Sequence, residues 1–352
     1  MWLRYLPFLA VVLTSVSVLD ARADPVDDFI RAELKSQNIP GLSLAVVRNG
    51  EVVKAVGYGV SNIALRTPAT AETVYKIASV SKQFIATGIM LLVQDGQLRI
   101  DDPISRYLDG TPPAWSGITL RHLLTHTSGL VREAPGSNPS RPQNDADVIR
   151  SAYSLPLRFA PGTKWEYGNL GYYALAEVIR KVAGRPWAEF LRDRVFVPCG
   201  MNTTHPTNTR VPLPTRAVGY VDNDNLRPAD EWPALRPSGA FLSTVLDLAK
   251  WDAALYTDKI LREATRREMW TPITLTDGSQ APYGFGWELD RFGGRRLVHH
   301  SGGMPGTRAE FARFVDDGLT IILLMNLDDV DKDAILYGVA KLYLPSPTRA
   351  RE

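Results

Sequence analysis

The chain has little of several features that would define other classes of protein. Its 352 residues include one cysteine, Cys199, so no internal disulfide can form. Basic and acidic residues nearly balance, at 40 and 38, which leaves a net charge of +2. A surface this close to neutral gives no sign of nucleic-acid binding. The sequence has no repeat and no low-complexity tract, and its composition is that of an ordinary globular protein.

Several catalytic fingerprints are missing as well. Without a G-x-S-x-G elbow, the α/β-hydrolase class is disfavoured. Without a glycine-rich dinucleotide or phosphate loop, we expect no nucleotide, and we expect no cofactor of any kind. His122 and His126 are four residues apart, but no H-E-x-x-H motif is present and we expect no metal. His299 is predicted to be a surface residue, and Cys199 to be a small buried apolar residue.

Long hydrophobic runs are also scarce, and the exception is at the N-terminus. Arg4 precedes an apolar stretch from Leu6 to Val18, and Ala21-Arg22-Ala23 offers a cleavage site. This pattern predicts a secretory signal peptide over residues 1–23, with a mature protein that begins at Asp24 and is periplasmic or secreted. The alternative is a retained anchor, although the run is too short to span a bilayer comfortably. No second span is expected in the mature protein.

The remaining chain predicts strands at both ends and helices between them. Asn49-Gly50 separates apolar runs at 42–47 and 52–56, which is a strong hairpin signal. Further strands are predicted near 285–290, 295–300, 308–315 and 319–325, and terminal helices from Asp24-Pro25 to about residue 35 and over 331–343. Other helices should begin near Ser79, Leu120, Tyr172, Trp187 and Val245.

These patterns together predict an α+β fold. The expectation is one sheet built from both ends of the chain, with the helices between them forming an inserted layer. A single catalytic domain would cover residues 24–345, with the sheet part at about 24–75 and 280–345 and the helical part at about 76–279. Residues 346–352 would form a short tail.

A serine and a lysine mark the start of the predicted helix near residue 79. Ser79 and Lys82 form an S-x-x-K pair, and residues three apart on a helix share a face. The lysine amine could therefore reach the serine hydroxyl and take its proton. The first N–H groups of the helix would add positive potential where an oxyanion forms. Alone, such a pair is far more often an ordinary exposed Ser/Lys pair.

Two later segments change that interpretation. Tyr167-Gly168-Asn169 forms a Y-x-N motif at another predicted helix start, and His300-Ser301-Gly302 ends a predicted strand. With S-x-x-K and in this order, these motifs resemble the serine β-lactamase and penicillin-binding-protein superfamily, specifically its class C-like branch. The flanking runs at 118–130 and 283–287 extend the resemblance, which covers about residues 25–343.

The resemblance implies an antiparallel sheet flanked by helices, with an all-α region beside it and the catalytic cleft at their junction. It also implies roles for these residues. Ser79 would be acylated, Lys82 and Tyr167 would share the proton transfers, and which of them is the base stays open. Asn169 would hold the lysine amine or a substrate amide. The backbone N–H groups of Ser79 and Gly303 would form the oxyanion hole. His300, Ser301, Gly302 and Gly303 would line the substrate site together with Asn169.

His300 departs from the pattern of class C β-lactamases, which have lysine at this position. A histidine is mostly neutral at pH 7 on its ordinary pKa, so a substrate carboxylate should be held less well. Smaller departures are Gly168 within Y-x-N and Ser238-Gly239-Ala240 in place of a small-Gly-Gly run.

The sequence therefore predicts a serine hydrolase that cleaves an amide or ester through an acyl-enzyme. A D-amino-acid peptide, a β-lactam and a small ester all remain possible substrates, and the substrate could be derived from the cell wall. The alternative is a non-catalytic peptidoglycan-binding or scaffolding protein with the same fold.

Overall fold

A computed structural model of the protein describes residues 24–345. The predicted signal peptide and the predicted tail lie outside these residues. Among residues 24–345, no helix is both long and apolar enough to cross a bilayer.

A seven-stranded antiparallel sheet forms the centre of the molecule, and both ends of the chain contribute to it. Its strands, in chain order, are β1 Gly41–Arg48, β2 Glu51–Asn62, β3 Thr67–Pro68, β4 Glu288–Phe292, β5 Arg295–Met304, β6 Thr307–Phe314 and β7 Leu319–Met325. In space their order is β4-β5-β6-β7-β1-β2-β3, so β1 and β7 meet at the centre. The predicted fold is confirmed.

The two central strands explain why the sheet is covered on both faces. Every residue of β7 is buried, and β1 is buried except at its last residue. Alternate side chains of a strand point to opposite faces, so strands with both faces apolar need a layer on each side. Leu42 and Leu44 pack with Ile30 and Leu336 on one face, while Ala45 belongs to the larger core on the other.

Ten helices surround the sheet in the described part of the chain. They are α1 Pro25–Ser36, α2 Lys82–Gln94, α3 Leu120–Leu124, α4 Asp145–Arg150, α5 Leu170–Ala183, α6 Trp187–Leu191, α7 Val197–Cys199, α8 Val245–Ala254, α9 Glu263–Met269 and α10 Lys332–Tyr343. Helices α1 and α10 cover one face. The helices between β3 and β4 lie on the other face, and α2 and α5 are at their core.

Local sequence signals place most of these elements correctly. Asn49 and Gly50 both have positive φ values, 51° and 83°, as a two-residue hairpin turn requires. Asp24 accepts a hydrogen bond from the Val26 N–H at 2.9 Å and caps α1. The predicted strand at 285–290 in fact begins at Glu288. Small sheets of two or three strands form elsewhere, and Phe241–Ser243 in one of them lies beside the S-x-x-K segment.

Candidate active site

Ser79 lies in a single 3-10 turn, Ala78–Ser81, that runs directly into α2 at Lys82. The helix predicted to start near Ser79 thus begins with a 3-10 turn, and two tertiary contacts hold this turn. The Phe241 N–H donates to Ser81 Oγ at 3.2 Å, and the Ile77 N–H donates to the Phe241 carbonyl at 3.0 Å. Ala78 adopts a positive φ of 45°, which costs a non-glycine residue about 1–3 kcal/mol. The turn leaves the Ser79 side chain partly exposed.

Lys82 is fully buried beneath Ser79, and three oxygens surround its amine. Nζ is 3.0 Å from Ser79 Oγ, 2.9 Å from Asn169 Oδ1 and 3.0 Å from the Ser238 carbonyl oxygen. The amide and carbonyl oxygens can only accept hydrogen bonds, so they fix two N–H groups of the lysine. The third position of the amine then faces the serine, either as an N–H donor or as a lone pair that can accept the serine proton.

The surroundings favour the neutral form of Lys82. Burial lowers the pKa of its ammonium group well below the usual value, and nearby arginines add to this effect. Tyr167 behaves in the opposite way. Desolvation raises the pKa of its phenol well above 10, and an interaction with the Ser79 hydroxyl opposes that rise only in part. The two shifts favour a neutral lysine, which can accept a proton, and a protonated tyrosine, which can donate one.

Asn169 occupies the N-cap position of α5 but does not cap the helix with its side chain. Asparagine is a favoured N-cap residue, and an unused cap forgoes about 1 kcal/mol of stability. Instead its Oδ1 accepts from Lys82, and its Nδ2 donates to Glu133. Of the two partners that the sequence left open for Asn169, the structure places the lysine amine in contact with it.

Four residues that the sequence did not single out for the site surround Tyr167 and Asn169. Glu133 also binds Arg236 at 3.2 Å, and the Arg132 guanidinium lies 5.4 Å from the centre of the Tyr167 ring. The rings of His126 and Tyr167 are 4.4 Å apart, and His126 Nδ1 accepts from the Gly168 N–H at 3.3 Å.

No local pattern identifies Glu133, Arg132 or Arg236 as site residues, because they reach the site only through the fold. For His126, the sequence weighed a metal site with His122. The structure uses the His126 ring to support Tyr167, and His122 Nδ1 accepts from the N-cap N–H of α3.

The end of β5 lies directly against the Ser79 turn. A Cβ on Gly302 would come within 2.3 Å of the Ile77 carbonyl oxygen, so only glycine permits this approach. Met304 pairs with Thr307 across a two-residue turn. In such a turn the two residues of the closing pair exchange backbone hydrogen bonds with each other. The next pair, Gly303 with Arg308, therefore leaves the Gly303 N–H pointing away from β6. Strand β4 ends its pairing at His299, so nothing in β4 covers this N–H.

His300 is buried, and its ring is held by hydrogen bonds at both nitrogens. Nδ1 is 2.7 Å from the Ser301 carbonyl oxygen, which requires an N–H at that position. Nε2 is then an acceptor for the Tyr283 hydroxyl at 2.8 Å. Burial is the main cause that lowers the His300 pKa to about 3. A neutral imidazole thus stands where a class C β-lactamase has a lysine.

His299 is not a surface residue, contrary to the sequence-based expectation. Its side chain is buried on the opposite face of β5, with Nδ1 3.0 Å from Glu310 and Nε2 3.1 Å from Asp290. Burial alone would lower its pKa, but these two carboxylates raise it to about 10. The signal that was missed is strand alternation. Successive side chains of a strand point to opposite faces of the sheet, so two consecutive histidines are buried on different faces.

Comparisons with known proteins support the fold. A family model described as Beta-lactamase matches residues 26–343. Penicillin-binding protein 4* of Bacillus subtilis is 31% identical over 311 residues, which cover 82% of this chain and 68% of the relative. A D-aminopeptidase of Brucella canis is 29% identical over 344 residues, which cover 93% of this chain and 64% of the relative. The chain thus spans about two thirds of the length of these curated relatives.

Solved structures show the same fold. A penicillin-binding protein homologue from Pyrococcus abyssi, described as octameric, superposes with a TM-score of 0.80 at 28% identity, over 92% of this chain and 78% of that one. The D-amino acid amidase from Ochrobactrum anthropi SV3 superposes with a TM-score of 0.78 at 26% identity, over 91% of this chain and all of that one, 100%.

Proposed function

Because the chain belongs to the beta-lactamase family, we propose that it is a serine hydrolase in which Ser79 attacks an amide or ester carbonyl and becomes acylated. The observation that carries the proposal is the position of the Lys82 amine. It is buried, its pKa is lowered, and it lies 3.0 Å from the Ser79 hydroxyl. A serine becomes a competent nucleophile only when a neighbouring base takes its proton.

The proposed acylation begins with transfer of the Ser79 proton to Lys82 as the serine oxygen bonds to the substrate carbonyl carbon. The carbonyl oxygen becomes an oxyanion held by the N–H groups of Ser79 and Gly303, and such a donor contributes about 3–4 kcal/mol in the transition state. The C–N or C–O bond then breaks. Tyr167 gives its proton to the departing amine or alcohol and regains one from the Lys82 ammonium.

Deacylation repeats these steps with water as the nucleophile. Water loses a proton to the same pair and attacks the acyl carbon, and Ser79 leaves with a proton returned to its oxygen. Asn169 and the Ser238 carbonyl keep the lysine amine in place through both halves of the reaction. His300, Ser301, Gly302 and Gly303 are proposed to line the substrate side.

Among the candidate substrates, we favour D-amino-acid amides and peptides. Relatives and structural neighbours include a protein named D-aminopeptidase and one named D-amino acid amidase. We also propose that the protein is exported after cleavage at Ala23, so that it meets such substrates outside the cytoplasm. N-terminal sequencing of the exported protein should read from Asp24, and an intact Met1 would favour an anchored form.

A covalent probe tests the proposed nucleophile. A fluorophosphonate or a labelled penicillin should bond to Ser79, and peptide mapping should locate the label there. Ser79→Ala should abolish labelling. Ser81→Ala is the matched control, because Ser81 Oγ accepts from the Phe241 N–H and does not face Lys82. A label on another serine, or none, would contradict the mechanism and favour a non-catalytic scaffold.

Small activated esters should be cleaved at least about tenfold faster than cephalosporins in kcat/KM, a difference of about 1.4 kcal/mol. A cephalosporin has a carboxylate that needs a cation, and His300 is neutral because burial lowers its pKa to about 3. An activated ester needs only Ser79, its base and the oxyanion hole.

His300→Lys should raise cephalosporin turnover relative to ester turnover. His300→Gln, which introduces no charge, should leave the ratio near that of the wild type. Steady-state kinetics of both substrates on the three proteins measure these ratios. Wild-type protein that hydrolyses cephalosporins as fast as esters at pH 7 would contradict the role assigned to His300.

A further inference from the structure

Beside the proposed site, the outer edge of β5 is no longer paired with β4. Strand β4 pairs with it as far as Glu288 opposite His299 and then turns away. Backbone N–H groups of alternate residues in an antiparallel strand point to the same edge. The Ser301 N–H therefore points to this open edge, as the Gly303 N–H does. The Glu288 carboxylate lies beside this edge and accepts a hydrogen bond from the Ser301 hydroxyl at 3.4 Å. A carboxylate of the protein therefore occupies the edge next to the position where the oxyanion would form.

Glu288 contacts both consecutive histidines and remains partly open to solvent. Its Oε1 is 3.5 Å from His300 Nδ1, its Oε2 is 3.8 Å from His299 Nε2, and its side chain is 30% exposed. Of these neighbours only His299 carries a positive charge, and two other carboxylates already bind His299 more closely.

The charged side chains next to this open edge of β5 carry a net negative charge. Glu288, Asp290 and Glu310 surround the His299 cation, and Lys332 binds Glu310 at 3.0 Å. Lys332 also pairs with the exposed Asp333. Four carboxylates thus face two cations in this group. With His300 neutral, the end of the cleft formed by β4 and β5 is negative.

This end of the cleft is where a leaving group would depart under the proposed function. The proton donor to the leaving group is Tyr167, and its ring lies 6.1 Å from the His300 ring and 6.2 Å from the Tyr283 ring. The oxyanion is held at Gly303, so the leaving group lies toward His300, Ser301 and Glu288.

We propose that Glu288 determines the charge of the leaving group: the site accepts neutral or cationic leaving groups and rejects those with a free carboxylate beside the scissile bond. This inference rests on the proposed function and refines its substrate class. A carboxylate at this end would be repelled by Glu288 at short range, whereas an amide or ammonium group could donate a hydrogen bond to Glu288. The preferred substrates are then amides, esters and amidated peptides.

Two substrates that differ in one group test the proposal. N-acyl-D-alanyl-D-alanine and the same peptide as its C-terminal amide share the scissile bond and differ in the charge of the leaving group. Wild-type protein should cleave the amidated peptide at least about tenfold faster in kcat/KM. Glu288→Gln should reduce this preference about tenfold, mainly by improving the carboxylate substrate.

Asp290→Asn is the matched control, because it removes a carboxylate from the same group without touching Ser301 or His300. Its preference should stay near that of the wild type. An Asp290→Asn preference that falls as far as that of Glu288→Gln would overturn the proposal in favour of a general effect of charge. An unchanged preference in Glu288→Gln would also overturn it.

The wild-type ratio keeps the proposal testable even if Glu288→Gln fails to fold, because equal rates on the two peptides contradict it directly. Fluorophosphonate labelling of Ser79 in the same preparation separates the two levels of inference. Labelled protein without a preference refutes the role of Glu288 alone, whereas unlabelled and inactive protein refutes the proposed function and this inference with it.

Discussion

Lys82→Ala and Tyr167→Phe should each lower turnover at least about 100-fold while the protein remains folded. General acid–base groups typically contribute 10²–10⁴ to a rate. Lys82 lies 3.0 Å from Ser79 Oγ, and no other amine is placed to replace it among the described hydrogen bonds of Ser79. Tyr167→Phe keeps the ring that packs on His126 at 4.4 Å and removes only the hydroxyl. Steady-state kinetics with an activated ester, together with thermal unfolding, measure the effect.

Tyr172→Phe provides the matched control for the tyrosine. The Tyr172 ring also lies close to Lys82, at 5.3 Å, but its hydroxyl donates to the Leu124 carbonyl at 3.1 Å. Its loss should cost about 1 kcal/mol of stability and little turnover. If Lys82→Ala and Tyr167→Phe were folded and kept rates near that of the wild type, the assignment of proton transfer would be wrong.

Gly302→Ala should both destabilise the protein and inactivate it. The new Cβ would lie 2.3 Å from the Ile77 carbonyl oxygen, which belongs to the backbone two residues before Ser79. Because a backbone cannot move aside as a side chain can, either β5 or the Ser79 turn must shift. Overpacking of this kind costs about 1–3 kcal/mol. The proposed oxyanion site depends on the same contact, so turnover should fall more than the loss of stability alone accounts for.

Gly303→Ala separates this effect from a general intolerance of β5. Its Cβ would meet Arg308 Nη1 at 2.5 Å, the far end of a flexible side chain that can turn away at the expense of one hydrogen bond to the Asp328 carbonyl. We expect unfolding temperatures near that of the wild type for Gly303→Ala and clearly lower ones for Gly302→Ala. Equal destabilisation of the two variants would show that the approach of β5 to Ile77 is not the critical contact.

The sequence predicts the features that depend on neighbouring residues. Asn49-Gly50 identifies the hairpin because two positive φ values in succession are costly for most other residue pairs. The order of S-x-x-K, Y-x-N and H-x-G indicates the family. The contact between Lys82 and Ser79 follows from their spacing of three, whether the turn is an α-helix or the 3-10 turn that the structure shows.

The features that depend on distant residues could not be read in this way. The Ser238 carbonyl that fixes the Lys82 amine is a backbone group, and no residue type marks it. Asn169 resembles an ordinary N-cap, and only the fold shows that its side chain faces the lysine instead. Glu288 directly follows a run, 283–287, that the sequence identified as family-like, but nothing in the sequence singled out Glu288 itself, and its position at an open strand edge depends on where β4 stops pairing.

The central pairing of β1 with β7 has a consequence for how the protein acquires activity. Leu42 pairs with Met325, so the sheet can close only after nearly the whole chain is available. Contacts between residues so far apart in the chain form slowly, because the entropy of closing the loop is lost before the contacts form. Ser79 and Lys82 emerge early during synthesis, whereas Gly302 and Gly303 arrive late. An incomplete chain thus carries the proposed nucleophile without the strand that would stabilise the oxyanion, and we expect it to be inactive until folding is complete.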